Sequence, residues 1–301
     1  MMPIRSLALS LMIALGLGAT VAATAQAAEP VPPEFVRCEK VPRGKEAQYT
    51  TSACTVKGPK GRFEALPVPA GTAYSALGGK AVLEADTGTT IACKSTTDTG
   101  EITGPKTVVD TVTFAGCESA SLKETCQNSG SKEGEIRTAP LEVTLGFIDR
   151  EKEEVGEDSR PIAPNTVLVA FECGGESLGP NFISISGSSI GTIGSVNRMT
   201  TTFKASLKGA SGKQEVEAFE GQPKDILATT ICAGECISTG AAETAADTVT
   251  TNEKIEVRAA VSECRHVPFD LGPQFYSTEA ECLTAEKPGS GEWELADLPL
   301  A

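Results

Sequence analysis

The sequence predicts an all-β protein: an antiparallel β-sandwich, with a jelly roll as one form of it, flanked by two small disulfide-stapled modules. Three observations carry this. Several stretches alternate apolar and polar residues with a period of two, no stretch after the N-terminus sustains a long 3.6-residue apolar period, and ten cysteines follow an export-like leader. The elements follow in order.

Residues 1–27 have the pattern of a secretory signal peptide: Arg5, an apolar stretch from Leu7 to Leu17, then Ala25-Gln26-Ala27 as a small-x-small cleavage site. The apolar stretch falls short of the about 20 residues that a bilayer needs, so no transmembrane anchor is expected. No cysteine stands at the cleavage site to take a lipid. The expected product starts near Ala28 and is secreted. Losing Arg5 with the leader takes its formal charge from −14 to −15. That acidity argues against nucleic acid and anionic membranes as partners, because both are held by clustered Lys and Arg.

All ten cysteines (Cys38, Cys54, Cys93, Cys117, Cys126, Cys173, Cys232, Cys236, Cys264 and Cys282) lie after the leader, and an even number in an exported chain reads as a disulfide framework. No paired Cys-x-x-Cys occurs and the chain holds one histidine, so no zinc centre is expected, and the sequence assigns no cofactor. Residues 28–71 and 262–301 look like two copies of one module. Cys38-Glu39-Lys40-Val41-Pro42, Tyr49, Cys54 and Gly61-Arg62-Phe63-Glu64 recur in order as Cys264-Arg265-His266-Val267-Pro268, Phe275-Tyr276, Cys282 and Gly291-Glu292-Trp293-Glu294. Each copy is too short to bury a core alone, and a local bridge would add about 3 kcal/mol.

Residues 72–261 read as the sandwich domain, of roughly ten to twelve strands. Met199–Leu207, Leu141–Phe147, Val167–Cys173 and Ile255–Ala259 alternate as half-buried strands do. In these registers the thiols of Cys93 and Cys173 point inward, which suggests a bridge between sheets. Cys117 with Cys126, and Cys232 with Cys236 around Gly234, suggest local bridges. Arg150–Arg160 is a charge run that reads as a solvated loop, and the Ala/Thr-rich stretch 240–251 reads as mobile.

Three patterns bear on chemistry. Gly187-Ser188-Ser189-Ile190-Gly191 has the nucleophile-elbow spacing, but its flanks read as strand, and a triad with His266 and Asp225 is the weaker reading beside a Gly/Ser-rich hairpin. Glu215-Val216-Glu217-Ala218-Phe219-Glu220 resembles the two-carboxylate strand of jelly-roll glycoside hydrolases. It departs from that pattern in having Glu at the central position and Gly221-Gln222-Pro223 after it. Asp86-Thr87-Gly88 and Asp98-Thr99-Gly100 read as tight turns.

Beyond these patterns, the chain resembles a group of secreted all-β proteins of high-GC Gram-positive bacteria to which no activity is assigned. Ile91-Ala92-Cys93-Lys94-Ser95, Gly100-Glu101-Ile102-Thr103-Gly104, Phe114-Ala115-Gly116-Cys117-Glu118, Gly134-Glu135-Ile136, Phe171-Glu172-Cys173-Gly174, Asn197-Arg198-Met199-Thr200 and Gly212-Lys213-Gln214 carry the resemblance. It implies export and an all-β fold, and it transfers no catalytic residue. The expectation is a non-enzymatic extracellular binding or surface protein, with Tyr49, Phe63, Tyr276 and Trp293 as candidate contacts and cell-wall or extracellular polymer as a partner to test. The alternatives are a secreted carbohydrate-active hydrolase using Glu215, Glu217 or Glu220, and a purely structural envelope protein.

Overall fold

The structure is a computed structural model that describes residues 31–45, 47–121, 123–174, 182–224 and 227–260, with the backbone of 264–267, 274–275 and 292–295. The first strands are β1 Val31–Lys40, β2 Phe63–Pro67, β3 Thr72–Gly78, β4 Ala81–Ala85, β5 Thr90–Cys93, β6 Ser95–Ile102 and β7 Thr107–Ala115. The middle ones are β8 Glu118–Ser119, β9 Cys126–Gln127, β10 Glu135–Arg137, β11 Leu141–Asp149, β12 Glu154–Pro161, β13 Val169–Cys173, β14 Phe182–Ser186, β15 Ser189–Ile193 and β16 Thr200–Leu207. Then come β17 Gly209–Ala210, β18 Lys213–Gln214, β19 Ala218–Phe219, β20 Gln222–Pro223, β21 Ala228–Ala233 and β22 Glu235–Ala260. Three short strands end the chain: β23 Cys264–Val267, β24 Gln274–Phe275 and β25 Glu292–Leu295. Among the described residues there is no helix.

Eight strands close into a ring. β3 pairs with β6, β6 with β7, β7 with β11, β11 with β12, β12 with β15, β15 with β16, β16 with β22, and β22 returns to β3, all antiparallel. The molecule is all-β as its alternation requires, but its main sheet is a closed barrel where two facing sheets were expected. The reason is physical. Alternation reports that one face of a strand is buried, and a sandwich and a barrel both meet that condition. Here the deciding contact is the last pairing, Asp247–Thr251 against Tyr74–Gly78, which no local pattern announces. The stretch 240–251 that read as mobile lies within this 26-residue strand β22.

Inward residues alternate with outward ones round the ring. On β11, Leu141, Val143, Leu145 and Phe147 are buried. On β6, Thr96 and Ile102 are buried while Thr97, Thr99 and Glu101 are exposed, and on β22 Thr248 and Thr250 face out. Polar residues outside and apolar residues inside are the inverse of a membrane-spanning barrel.

The two ends of the barrel differ. Antiparallel order places the turns at 103–106, 150–153 and 194–199 at one end. The N-terminal module docks at this end: β1 pairs with the tail of β22, and the Phe35 N–H donates to Pro105 O at 2.6 Å. Arg258 fastens it further, 5.6 Å from the centre of the Tyr49 ring and donating to Cys54 O at 3.5 Å, while Glu256 on its own strand pairs with it at 2.8 Å. At the other end the chain leaves the ring after β3, β7, β12 and β16 and builds the remaining sheets. These are β4, β5 and β8 against β22, and the row β9, β13, β14, β21 and the start of β22.

Four disulfides are present among the described residues. Cys38–Cys54 and Cys232–Cys236 join as the spacing suggests. The other two differ from expectation: Cys93 pairs with Cys117 and Cys126 with Cys173. Cross-strand register explains the exchange. Pairing of Ala92 with Glu118 sets Cys117 beside Cys93, at a Cα separation of 3.9 Å, and Cys126 lies opposite Cys173, at 4.1 Å. The two bridges adjoin, since the Cys126 N–H donates to Cys117 O at 3.0 Å. Cys282 lies outside the described residues, and so does its expected bridge to Cys264.

The internal repeat reappears as register. In the first copy Cys38 pairs with Ala65 and Lys40 with Phe63; in the second Cys264 pairs with Leu295 and His266 with Trp293. Each copy thus sets its Cys-x-x-Val-Pro strand against its Gly-x-aromatic-Glu strand at the same offset.

Candidate binding site in the barrel lumen

The barrel is not completely filled. A cavity of about 150 Å³ runs through its lumen. Most of its wall is apolar, including Val112, Leu145, Ile193, Phe203 and Val249, and Phe35 of the N-terminal module contributes from outside the ring. Set into that wall are five carboxyl groups from four strands: Asp98 on β6, Asp110 on β7, Glu157 on β12, and Glu243 and Asp247 on β22. No Lys, Arg or His is among the residues that line it.

Two glycines make the arrangement possible. A Cβ on Gly100 would stand 2.7 Å from the Tyr74 hydroxyl and 2.7 Å from Asp110 Cβ, so its absence admits the bond from Tyr74 Oη to Asp110 Oδ2, 2.8 Å long. A Cβ on Gly78 would overlap both Asp247 Oδ1 and Thr96 Oγ1, which are hydrogen-bonded to each other across that gap. At both positions glycine serves close approach, since neither has a positive φ.

Burial and mutual repulsion make the cluster reluctant to ionise. Burial, then the neighbouring Asp110, Glu157 and Asp247, raises Asp98 to about 8. Glu157 is pushed up to about 8 by burial and by Asp110 and Asp247. Glu243 rises to about 7 through burial and Asp247, and Asp247 itself is raised by burial. Burial lifts Asp110 to about 6, partly offset by hydrogen bonds from Tyr74 and Asp98. Tyr74 is driven up by burial and by Asp110. Glu157 and Glu243 keep some uncovered surface, but it faces the lumen rather than bulk water.

Polar atoms in this wall lack partners. Asp98 Oδ1, Asp110 Oδ1 and Ser189 Oγ are buried and accept or donate no hydrogen bond. Asp110 and Ser189 are 7% and 6% exposed, so each is enclosed at a position where an unsatisfied polar atom is costly.

The residues singled out in the sequence fall elsewhere, with two exceptions, Ser189 and Asp98. Ser189 sits on β15 facing the lumen, not on a strand-to-helix elbow, and Asp225 lies outside the described residues. Glu215 and Glu217 are exposed and stand between strands, so they do not share a strand face. Glu215 borders a shallow surface groove with Lys208 and Lys213. Glu220 holds the Phe147 N–H at 2.8 Å and pairs with Arg150. Tyr49 and Phe63 meet in the N-terminal module, where Tyr49 is half-buried beneath Arg258; Tyr276 and the Trp293 side chain lie outside the described residues.

Sequence reasoning missed the lumen acids. Asp98 sits inside β6 and not in a turn, in contrast to Asp86 at the β4–β5 turn. The charge run that read as a solvated loop is a turn at 150–153 followed by β12, whose Glu157 faces inward. One signal was available: Asp110 keeps phase with Val108, Val112 and Phe114 on an alternating strand, and Glu157 keeps phase with Val155. A carboxylate on the apolar phase of a strand belongs to the buried face.

Compared with protein-family models, with curated proteins and with solved structures, the chain matches none. Multiple disulfides are compatible with an extracellular protein, and among the described residues no helix is long and apolar enough to cross a membrane.

Proposed function

We propose that this is an exported, non-enzymatic binding protein of the cell exterior whose barrel lumen takes up one small molecule. The observation that carries it is a 150 Å³ cavity inside the barrel, whose mostly apolar wall holds buried polar atoms without partners. Eight-stranded barrels have just enough interior for a filled core or for one small ligand, and this one is not filled. The leader-like residues 1–27, the cysteine framework and the resemblance to secreted all-β proteins of high-GC Gram-positive bacteria support export. Glu215 and Glu217 are solvated between strands and Glu220 is tied to Arg150 and the Phe147 N–H, which gives the hydrolase reading no support, and a purely structural envelope protein has no need of a lined cavity.

The test uses the oxidised mature protein, titrated with benzyl alcohol and with benzylamine and followed by NMR. Saturable shifts at lumen residues such as Val112 and Val249 are expected for at least one probe. They should vanish in Ala245→Leu, which fills the lumen from β22. If neither probe binds, or if the shifts map outside the barrel and survive Ala245→Leu, the reading is wrong.

A further inference from the structure

We propose that the lumen selects a small amphipathic cation: an ammonium group taken by Asp98 and Asp110, carried on an apolar body that lies against Val112, Leu145 and Val249. This rests on the lumen being a binding site and names the chemistry of its occupant.

Charge sign comes first. Five carboxyl groups face the cavity and no basic side chain does, so the only positive charge that could balance an ionised carboxylate there must be brought in. Hydrogen-bonding valence agrees. Asp98 Oδ1 and Asp110 Oδ1 are acceptors without donors, and an ammonium supplies three N–H donors and accepts nothing. Ser189 Oγ, equally enclosed and unpartnered, is a further acceptor on the opposite part of the ring.

Size and wall chemistry limit the rest of the molecule. A cavity of 150 Å³ is of the size that holds a benzene ring, so the occupant has about six to eight non-hydrogen atoms. Its non-ammonium portion meets aliphatic and aromatic side chains and must be apolar. A bare divalent cation fits poorly: among the described residues no group of three or more potential ligands is gathered closely enough to hold a metal. An anion would meet repulsion from every ionised carboxylate and find no basic side chain in the wall.

Protons compete with the cation for the same oxygens. Tyr74 on β3, Asp98 on β6, Asp110 on β7, Glu157 on β12, and Glu243 and Asp247 on β22 are the titratable groups that face the site. When the site is empty, their raised ionisation points keep part of the cluster protonated near neutrality. An ammonium displaces those protons, so its binding strengthens as pH rises from 5 to 8.

The experiment is calorimetric titration of the full mature, oxidised protein at about 0.15 M salt, an ionic strength that screens the acidic surface. The probes are benzylamine, benzyl alcohol and benzoate, which share one body and differ in charge. At pH 8 benzylamine should bind at least tenfold more tightly than benzyl alcohol, with benzoate undetectable, and its affinity should fall at least tenfold at pH 5. The double substitution Asp98→Asn, Asp110→Asn should abolish the preference while benzyl alcohol still binds. Those amides keep the carboxyl shape and remove buried charge, so the fold is expected to persist, and a thermal scan checks it. If benzyl alcohol binds as tightly as benzylamine, or the preference survives the double substitution, the cation assignment falls while the lumen remains a site. If no probe binds, or benzylamine binding survives Ala245→Leu, the lumen reading falls with it.

Discussion

Two groups of acids in this protein invite comparison. Glu215, Glu217 and Glu220 are neighbours in sequence and resemble catalytic carboxylates, yet in space they are exposed or tied to Arg150 and the Phe147 N–H. Asp98, Asp110, Glu157, Glu243 and Asp247 are scattered over 150 positions and converge on one cavity. Proximity along the chain made the first group conspicuous. Closure of the barrel made the second group a site. The lesson is that in a barrel an acid's environment is decided by its phase on the strand, not by its sequence neighbours.

The largest expected effect separates the two groups by pH. Each lumen carboxyl holds its proton more tightly in the folded protein than in the unfolded chain, where it titrates near about 4. The stability this confers is complete below that pH and is lost as pH rises through the folded values of about 6 for Asp110, 7 for Glu243 and 8 for Asp98 and Glu157. The ligand-free protein should therefore melt at least about 10 °C lower at pH 9 than at pH 5, several kcal/mol at about 2–4 °C each. The high net negative charge pushes in the same direction, so the control is Asp98→Asn combined with Glu157→Gln. That variant should flatten the profile and melt higher than the parent at pH 8. If Glu215→Gln with Glu217→Gln flattens it equally, the two groups do not differ as described.

The second effect applies the same inside-against-outside contrast to disulfides. Cys126 and Cys173 are 0% and 1% exposed and close a separation of 47 residues, whereas Cys236 is exposed and its bridge to Cys232 spans 4. Replacing both cysteines of the buried bridge by Ala should cost about 4 kcal/mol, and doing so at the hairpin tip about 2 kcal/mol, by loop-closure entropy. Denaturant melts measure both. Mild reductant followed by mass mapping should open Cys232–Cys236 before Cys126–Cys173, because Cys236 is exposed and both cysteines of the other bridge are enclosed. Release of Cys126 and Cys173 first would reverse the ranking.

How much was legible follows from what each signal encodes. Period-two alternation places Leu141–Phe147 and Thr200–Leu207 correctly as strands because the pleat itself has that period. The four-residue spacing identifies Cys232–Cys236 and the repeated module identifies Cys38–Cys54, whereas spacing alone misleads at Cys117 and Cys126, which are close in sequence but bonded elsewhere. The exchange of partners among Cys93, Cys117, Cys126 and Cys173 depends on which short strands lie side by side, β5 with β8 and β9 with β13, and two-residue strands carry no period. Glu157 was hidden for another reason. Its strand contains Glu154, Asp158 and Arg160 on the other phase, so the apolar face of β12 is reduced to Val155 and the charge run masks the alternation.

The smallest effect tests the surface group against itself. Glu220 has a structural task that Glu217 lacks: Oε1 accepts from the Phe147 N–H near the end of β11, and Oε2 pairs with Arg150 in the following turn. It sits at φ 53° after Phe219, which is 3% exposed and packs against Gly146, where a Cβ would stand 2.4 Å from the ring. Glu220 therefore pins the segment 208–224 to the outside of the barrel. Glu220→Ala removes a charged acceptor and an exposed ion pair, and should cost about 1–2 kcal/mol. Glu217→Ala changes a solvated side chain and should stay within about 0.5 kcal/mol. Because Arg150 is the partner, Arg150→Ala in the Glu220→Ala background should add little to the first loss, while in the parent it should cost a few tenths of a kcal/mol. Chemical denaturation of the four proteins gives the coupling directly. Equal costs for Glu217→Ala and Glu220→Ala would mean that Phe219 packing, the Glu220 N–H bond to Phe147 O and the Gln214 bonds to Ile190 N–H and Ser188 O hold the segment, and that the surface acids are interchangeable.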